Sequence, residues 1–253
     1  MYLKLSGLSF KILGAVVAIV LICMITISFN ISETIQVATG KKLKPIYKVD
    51  TKEKKVAISF DACWGSENTL KILDILDKYN VKTTFFLVNI WLEDYPDKAK
   101  EIRARGHEIG LHSTTHPHFT RLSDEKIREE LQKNKDMIKK VTGFDAILFR
   151  PPFGDYDSRV VKIIQDMGLY PIQWSVDSLD WRGLSASQMT RRVTERIGPG
   201  DIVLFHNDGE HTVEAIDEII KILQSQGYKI VPVSELIYKG DYYVDVNGIQ
   251  HGK

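Results

Sequence analysis

Cysteine is almost missing from this sequence: Cys23 and Cys63 are the only two in 253 residues. Cys23 falls inside an apolar run, so no disulfide framework can hold the folded part, and stability has to come from a hydrophobic core. An excess of either charge is missing too. The formal net charge is +1, which removes any bulk electrostatic case for nucleic acid or an acidic partner. Short-period repeats and low-complexity tracts are also absent, which leaves an ordinary globular composition.

Charge is missing altogether from Ile12 to Phe29, ILGAVVAIVLICMITISF, about eighteen residues and long enough to cross or nearly cross a bilayer. The run exceeds a usual signal-peptide core, and Asn30-Ile31-Ser32-Glu33 is a mediocre cleavage site. An uncleaved transmembrane anchor behind a short tail, residues 1–11, is therefore expected over a cleaved signal. Bulky Leu21 and Ile22 before Cys23 argue against lipidation. Lys4 and Lys11 precede the span while Lys41, Lys42, Lys44 and Lys48 follow it, so charge does not orient the chain. Residues 30–53 are polar and lysine-rich and read as a tether.

From Val56 onward, short β-branched and aromatic runs alternate with longer segments of helical period. Strands are expected at 56–60, 82–88, 107–111, 146–149, 170–175, 201–205 and 229–233, and helices at 67–79, 95–105, 123–141, 158–168, 185–196 and 212–226. Repeated βα units predict an α/β fold, a barrel-like domain of about seven parallel strands, with an open doubly wound sheet as the alternative. The third helix shows its logic: Ser123 caps it, Asp124 and Glu125 suit its positive end, and Ile127, Leu131, Ile138 and Val141 share one stripe.

Against this frame the reactive side chains fall at one end. Asp61 follows the first strand, His112 the third, Arg150 the fourth, Asp177 and Asp180 the fifth, and His206 the sixth. That is the C-terminal rim, where barrel active sites gather. His112 and His116, four residues apart, can share a divalent metal that polarises an acyl carbonyl and acidifies a water. Asp61 is then the general base and His206 the general acid, with Asp177 or Asp180 holding His206 cationic and Arg150 keeping Asp61 ionised. Hydrolysis of an ester or amide is the chemistry these parts support. Trp64, Trp174 and Trp181 read equally as core or as sugar platforms, and His107, His118 and His211 are taken as structural or exposed.

Five segments occur in a familiar order: Ser59-Phe60-Asp61, His112-Ser113-Thr114-Thr115-His116, Arg150-Pro151-Pro152-Phe153-Gly154, Asp177-Ser178-Leu179-Asp180-Trp181 and Leu204-Phe205-His206. On them, residues 54–238 resemble the polysaccharide deacetylases of carbohydrate esterase family four, the NodB homology domain, leaving 239–253 as a polar tail. The Asp-Ala-Cys-Trp-Gly form of the first motif, with the apolar amino-terminal run, is most similar to the sporulation-associated subgroup known as PdaB.

The resemblance implies a distorted α/β barrel that removes N-acetyl groups from amino sugars of peptidoglycan or a related envelope glycan. The domain would lie outside the cytoplasm on a single-pass membrane anchor, and the cofactor would be zinc, or cobalt or nickel as substitutes. It further implies Asp61 as base, His206 as acid, Arg150 and Asp180 as their supports, and His112 and His116 as metal ligands. Trp181 and Leu204 would wall the acetyl pocket. Phe153, usually Tyr in the family, would bind the oxyanion through its backbone N–H.

One position departs from the pattern. The family usually has a second aspartate after Asp61 as third metal ligand, and here it is Ala62. A methyl group cannot coordinate a cation, which raises a glycan-binding protein without turnover as the alternative, beside a deacylase of another N-acyl substrate. Cys63 is near, but continued strand alternation would turn it away from the histidines.

Overall fold

The structure is a computed structural model that describes residues 42–253, with Leu43–Lys253 forming one compact unit. The anchor expected at 12–29 lies outside the described residues. Among those described, no helix is long and apolar enough to cross a membrane.

The main sheet is built from β2 (Lys55–Ala62), β3 (Thr84–Leu87), β4 (Glu108–Leu111), β5 (Leu148–Phe149), β6 (Tyr170–Pro171), β7 (Val176–Asp177) and β8 (Ile202–His206). All of its pairs are parallel, in the order β6-β5-β4-β3-β2-β8-β7, with β9 (Lys229–Ile230) pairing against the start of β2. The path ends on β6 and β7 and does not close, so the expected barrel is a curled half-barrel. Of residues 170–175, expected as one strand, only Tyr170–Pro171 forms β6, and β7 begins just beyond them at Val176.

Outside the curl pack α1 (Thr69–Lys78), α2 (Asn89–Asp94), α3 (Pro96–Ala104), α4 (Asp124–Thr142), α5 (Ser158–Asp166), α6 (Ala186–Thr194), α7 (Thr212–Ser225) and the short α8 (Val233–Leu236). Alternation along β2 divides the structure into its two interiors. Val56, Ile58, Phe60 and Ala62 join the large core with Ile72, Leu73 and Leu76 of α1 and Ile216, Ile219 and Ile220 of α7. On the opposite face Ala57 packs with Phe86, Leu148, Ile172 and Ile202, and Ser59 and Asp61 continue that face toward the rim. Each such buried aliphatic or aromatic side chain contributes about 1.5–3 kcal/mol. The cap expected for α4 is formed, Ser123 Oγ accepting from the Lys126 N–H, and Gly143 ends the helix at φ 71°.

Gly110 is required by close approach. It lies in register with Phe86, and a methyl group at residue 110 would sit 2.4 Å from the Phe86 ring. That ring in turn lies 4.2 Å beneath the Arg150 guanidinium. Gly110→Ala is expected to destabilise the fold by about 1–3 kcal/mol through overpacking, seen as a lowered thermal midpoint; an unchanged midpoint would mean the ring has room to move.

Two boundaries differ from expectation. Part of the segment taken as tether is folded: Ile46 and Val49 are buried and β1 (Lys48–Val49) is a strand. The segment taken as a polar tail carries the hairpin β10 (Tyr242–Val244) and β11 (Ile249–Gly252), and β11 pairs with β1 in a second, three-stranded sheet. Asp245 Oδ1 accepts from the N–H groups of Asn247 and Ile249, and Gly248 takes φ 84°. Asn247-Gly248 was the turn signal in an otherwise polar stretch.

Candidate active site

Sheet order alone assembles the rim. Asp61 is in register with His206 on neighbouring β8, and Leu111 with Phe149, which sets His112 beside Arg150 at the next step. Asp61 lies within β2 rather than beyond it, and His206 is the last residue of β8.

Asp61, Arg150 and His112 form one buried group. Arg150 Nη1 donates to Asp61 Oδ1 at 2.8 Å, and Nη2 donates to Ser59 Oγ at 2.8 Å and to the Gln173 carbonyl at 3.2 Å. Asp61 Oδ2 lies 3.5 Å from His112 Nε2. Burial works to raise the Asp61 pKa, but the charge and hydrogen bond of Arg150, with the charge of His206, prevail and hold it below the ordinary carboxylate range. Burial also lowers Arg150, yet a guanidinium stays protonated at neutral pH. The pair is ionic.

The His112 loop is fixed by α4. Asn134 Oδ1 accepts from the N–H groups of His112 and Ser113, while its Nδ2 donates to the Leu87 carbonyl and to Asn89. Glu130 receives the N–H groups of Thr114 and Thr115 and the Thr115 hydroxyl. His112 Nδ1 pairs with the Arg150 carbonyl oxygen at 2.7 Å. A carbonyl only accepts, so the proton sits on Nδ1 and the lone pair of Nε2 faces the cleft. The His116 ring centroid lies 5.1 Å from that of His112.

His206 forms the other flank. Its Nδ1 lies 2.8 Å from Asp180 Oδ1, its backbone N–H donates to Asp180 Oδ2, and Thr212 donates to the same oxygen. Burial opposes the cation, but the hydrogen bond and charge of Asp180 prevail and push His206 up to about 9. The choice left open in the sequence is thereby decided. Asp177 instead accepts from the Leu179 N–H, and its carbonyl accepts from Arg192.

These shifts set a pH window. With Asp61 held below the ordinary carboxylate range and His206 raised, an ionised carboxylate and a protonated imidazole coexist up to about 9. A rate that needs both is expected to hold level there and fall above about 9, and Asp180→Asn is expected to draw that alkaline limb down toward an ordinary imidazole, about 6.5. The linkage has the same sign. Since the folded pKa of His206 is raised, its contribution to stability is complete below the unfolded pKa and is lost as pH rises through about 9. Rate profiles and thermal melts of the two proteins check this; an alkaline limb unmoved by Asp180→Asn would contradict it.

Backbone strain concentrates in the same loops. Of five non-glycine residues with positive φ among the described residues, four are Ser113, His116, Phe153 and Leu179, at 85°, 56°, 59° and 58°. A bulky side chain in this region costs about 1–3 kcal/mol and persists where the surroundings enforce it. Phe153 is exposed and stacks on His118. Trp64 and Trp181 are also exposed beside the rim, while Leu204 is buried within β8. Trp174 is half-buried, 5.6 Å from the Arg150 guanidinium. Of the remaining histidines, His107 is buried and accepts from the Thr83 N–H, and His211 opens α7.

The expectation for Cys63 is overturned. β2 ends at Ala62 and Cys63 occupies the bend that follows, so pleat alternation no longer governs its direction. Ligand-type atoms of Cys63, His112 and His116 all lie within 4.8 Å of one another. Two imidazoles and a thiol are donors suited to a borderline-soft divalent ion, and the residues present fit such a group. Without one, burial and the charges of Asp61 and Asp208 push the Cys63 thiol up, which argues against a thiolate nucleophile. Sequence reasoning also passed over Ser59, Asn134, Glu130 and Thr212. Asn134 and Glu130 left a signal, being polar residues set among Ile127, Leu131 and Ile138 on the buried stripe of α4.

Comparison with known proteins gives the geometry its context. A profile describing polysaccharide deacetylases matches residues 48–172. A peptidoglycan-N-acetylglucosamine deacetylase of Bacillus cereus is 34% identical over 186 residues, covering 72% of this chain and 68% of that protein. The chain belongs to the polysaccharide deacetylase family.

Other polysaccharide deacetylase relatives vary in length and activity. An uncharacterized protein of Bacillus subtilis, YlxY, is 34% identical over 194 residues, 77% of this chain but only 60% of its own length. A solved carbohydrate esterase family four pseudoenzyme from Bacillus anthracis is 37% identical, covers 83% of this chain and 73% of its own, and superposes with a TM-score of 0.74. A mutant form of that protein is described as having restored enzymatic activity. The family thus includes members of this fold on both sides of the line between turnover and its loss.

Proposed function

We propose that this chain hydrolyses the N-acetyl groups of amino sugars in peptidoglycan or a related envelope glycan. The observation that carries the reading is the pairing of Asp61 and His206 in register on adjacent strands, each with its own charged support. The two groups hold opposite protonation states side by side on one rim, as acyl transfer requires.

In this reading Asp61, kept ionised by Arg150, takes the proton of the attacking water. His206, kept cationic by Asp180, delivers a proton to the departing amine as the acyl–nitrogen bond breaks. The N–H of Phe153 would bind the oxyanion. His112 and His116 would hold a divalent ion, zinc or in its place cobalt or nickel, which when bound supplies Lewis-acid polarisation of the acyl oxygen and lowers the pKa of water. Release of acetate from N-acetylated glycan fragments, with each metal added, tests the proposal.

The substrate class draws support from the rim. Trp64, Phe153 and Trp181 are respectively 59%, 61% and 63% exposed, and flat apolar faces beside a polar cleft suit the C–H faces of sugar rings. Trp181→Ala is expected to weaken binding of glycan fragments roughly tenfold, as for the loss of about 1–1.5 kcal/mol of aromatic contact, with the thermal midpoint unchanged; equal affinity would remove Trp181 from the glycan surface.

The reading extends to an extracytoplasmic domain on an uncleaved single-pass anchor at 12–29, and to a role in sporulation as in the PdaB-like subgroup. The run of apolar residues and the Asp-Ala-Cys-Trp-Gly motif support these points. A second reading, glycan binding without turnover, is favoured by Ala62 and by the pseudoenzyme among the structural neighbours. Retained glycan binding with no acetate released under any metal would decide for it.

A further inference from the structure

We propose that Cys63 is the third protein ligand of the metal site, its thiolate standing in for the carboxylate that Ala62 cannot provide. The inference rests on the deacetylase-type reading of the cleft for its purpose, though the donor cluster stands on geometry alone. Sγ of Cys63 and a ring nitrogen of each of His112 and His116 lie within 4.8 Å of one another. Zinc–nitrogen and zinc–sulfur bonds of about 2.0–2.1 and 2.3 Å would draw the three atoms closer than that limit, a small closure about a shared centre.

Three features of the chain favour sulfur over the remaining oxygen candidate. Asp61 is already held by Arg150 at 2.8 Å, and spending its carboxylate on the metal would leave the guanidinium buried with a weaker partner and the site without a base. Cys63 is a free thiol, is 7% exposed and follows the end of β2 directly. His112 is oriented with Nε2 toward the cleft by the Arg150 carbonyl, the arrangement that outer-sphere partners impose on metal-binding imidazoles.

Charge is conserved by the exchange. One thiolate brings the single negative charge that one carboxylate would have brought, and the thiol proton leaves to solvent as the metal–sulfur bond forms. Three protein ligands with an open fourth position match the pattern of catalytic zinc, of which a sulfur-containing set is one variant. A soft thiolate selects zinc or cobalt over magnesium, calcium or manganese, so the identity of the third donor narrows the metals this chain can use.

Cobalt(II) titration of the purified full-length chain, followed by absorption spectroscopy, tests this directly. The wild type is expected to show visible ligand-field bands together with a near-ultraviolet sulfur-to-cobalt charge-transfer band. Cys23→Ser should retain that band. Cys63→Ser should lose it and bind cobalt at least about tenfold more weakly, with an unchanged circular dichroism spectrum. Cobalt bound by the wild type without the charge-transfer band, a band that survives Cys63→Ser, or no cobalt binding at all would each overturn the proposal. Acetate release is read separately. A sulfur band without turnover upholds the ligand and removes the deacetylase reading, whereas turnover without the band does the reverse.

Discussion

Arg150→Met is expected to cost about 3–5 kcal/mol of stability, the usual consequence of leaving one partner of a buried ion pair alone, and to lower Tm by on the order of ten degrees. Arg150 is fully buried, and its guanidinium neutralises Asp61, satisfies Ser59 and the Gln173 carbonyl, and lies against Phe86. Methionine retains the length and the contact with the ring but none of the five donors. Deprived of its partner, Asp61 keeps the burial that raises its pKa with only the charge of His206 left to oppose it, so any remaining activity should acquire an acid limb at higher pH. Arg150→Lys restores the charge without the fork and should recover part of the acid limb before it recovers stability. A methionine variant as stable as the wild type would show that the pair is not what orders this part of the rim.

The largest kinetic effects belong to Asp61→Asn and His206→Ala, each expected to lower the deacetylation rate about a hundredfold or more. Asparagine still accepts from Arg150 and is nearly isosteric, so geometry survives while basicity is lost. It also leaves the guanidinium uncompensated, so the rate has to be measured well below the variant's melting range. His206→Ala removes the proton donor but leaves Asp180 bonded to the residue 206 N–H and to Thr212, and that flank should stay folded. Combining the two substitutions should add little to either alone, because both groups serve one proton circuit. Near-wild-type rates in both single variants would mean these roles lie elsewhere.

How legible these features were depended on whether they were local. Asp61, His112, Arg150 and His206 could be placed on one rim because each follows or ends a run of strand-forming residues, and parallel βα repeats send such ends the same way. Local pattern left Asp177 and Asp180 open and only the family resemblance pointed to Asp180, since both stand in one turn and the path of Leu179 at φ 58° is what aims Asp180 at His206. Cys63 was misdirected because alternation was carried one residue past the end of β2. The hairpin at 242–252 escaped notice because its strands are short and polar and gain their partner from β1, about two hundred residues away. Helix α2, Asn89–Asp94, lies where only a loop was expected; Trp91 anchors it by burial and by donating to the Gly65 carbonyl, a contact no local pattern announces.

The most direct measurement is acetate released from N-acetylated peptidoglycan fragments by the purified full-length chain, with zinc, cobalt or nickel supplied and the Asp61→Asn variant run alongside. Release by the wild type that falls at least about a hundredfold in the variant is the predicted result. No release under any of the three metals, or equal release by both proteins, would contradict a catalytic cleft built on Asp61 and His206.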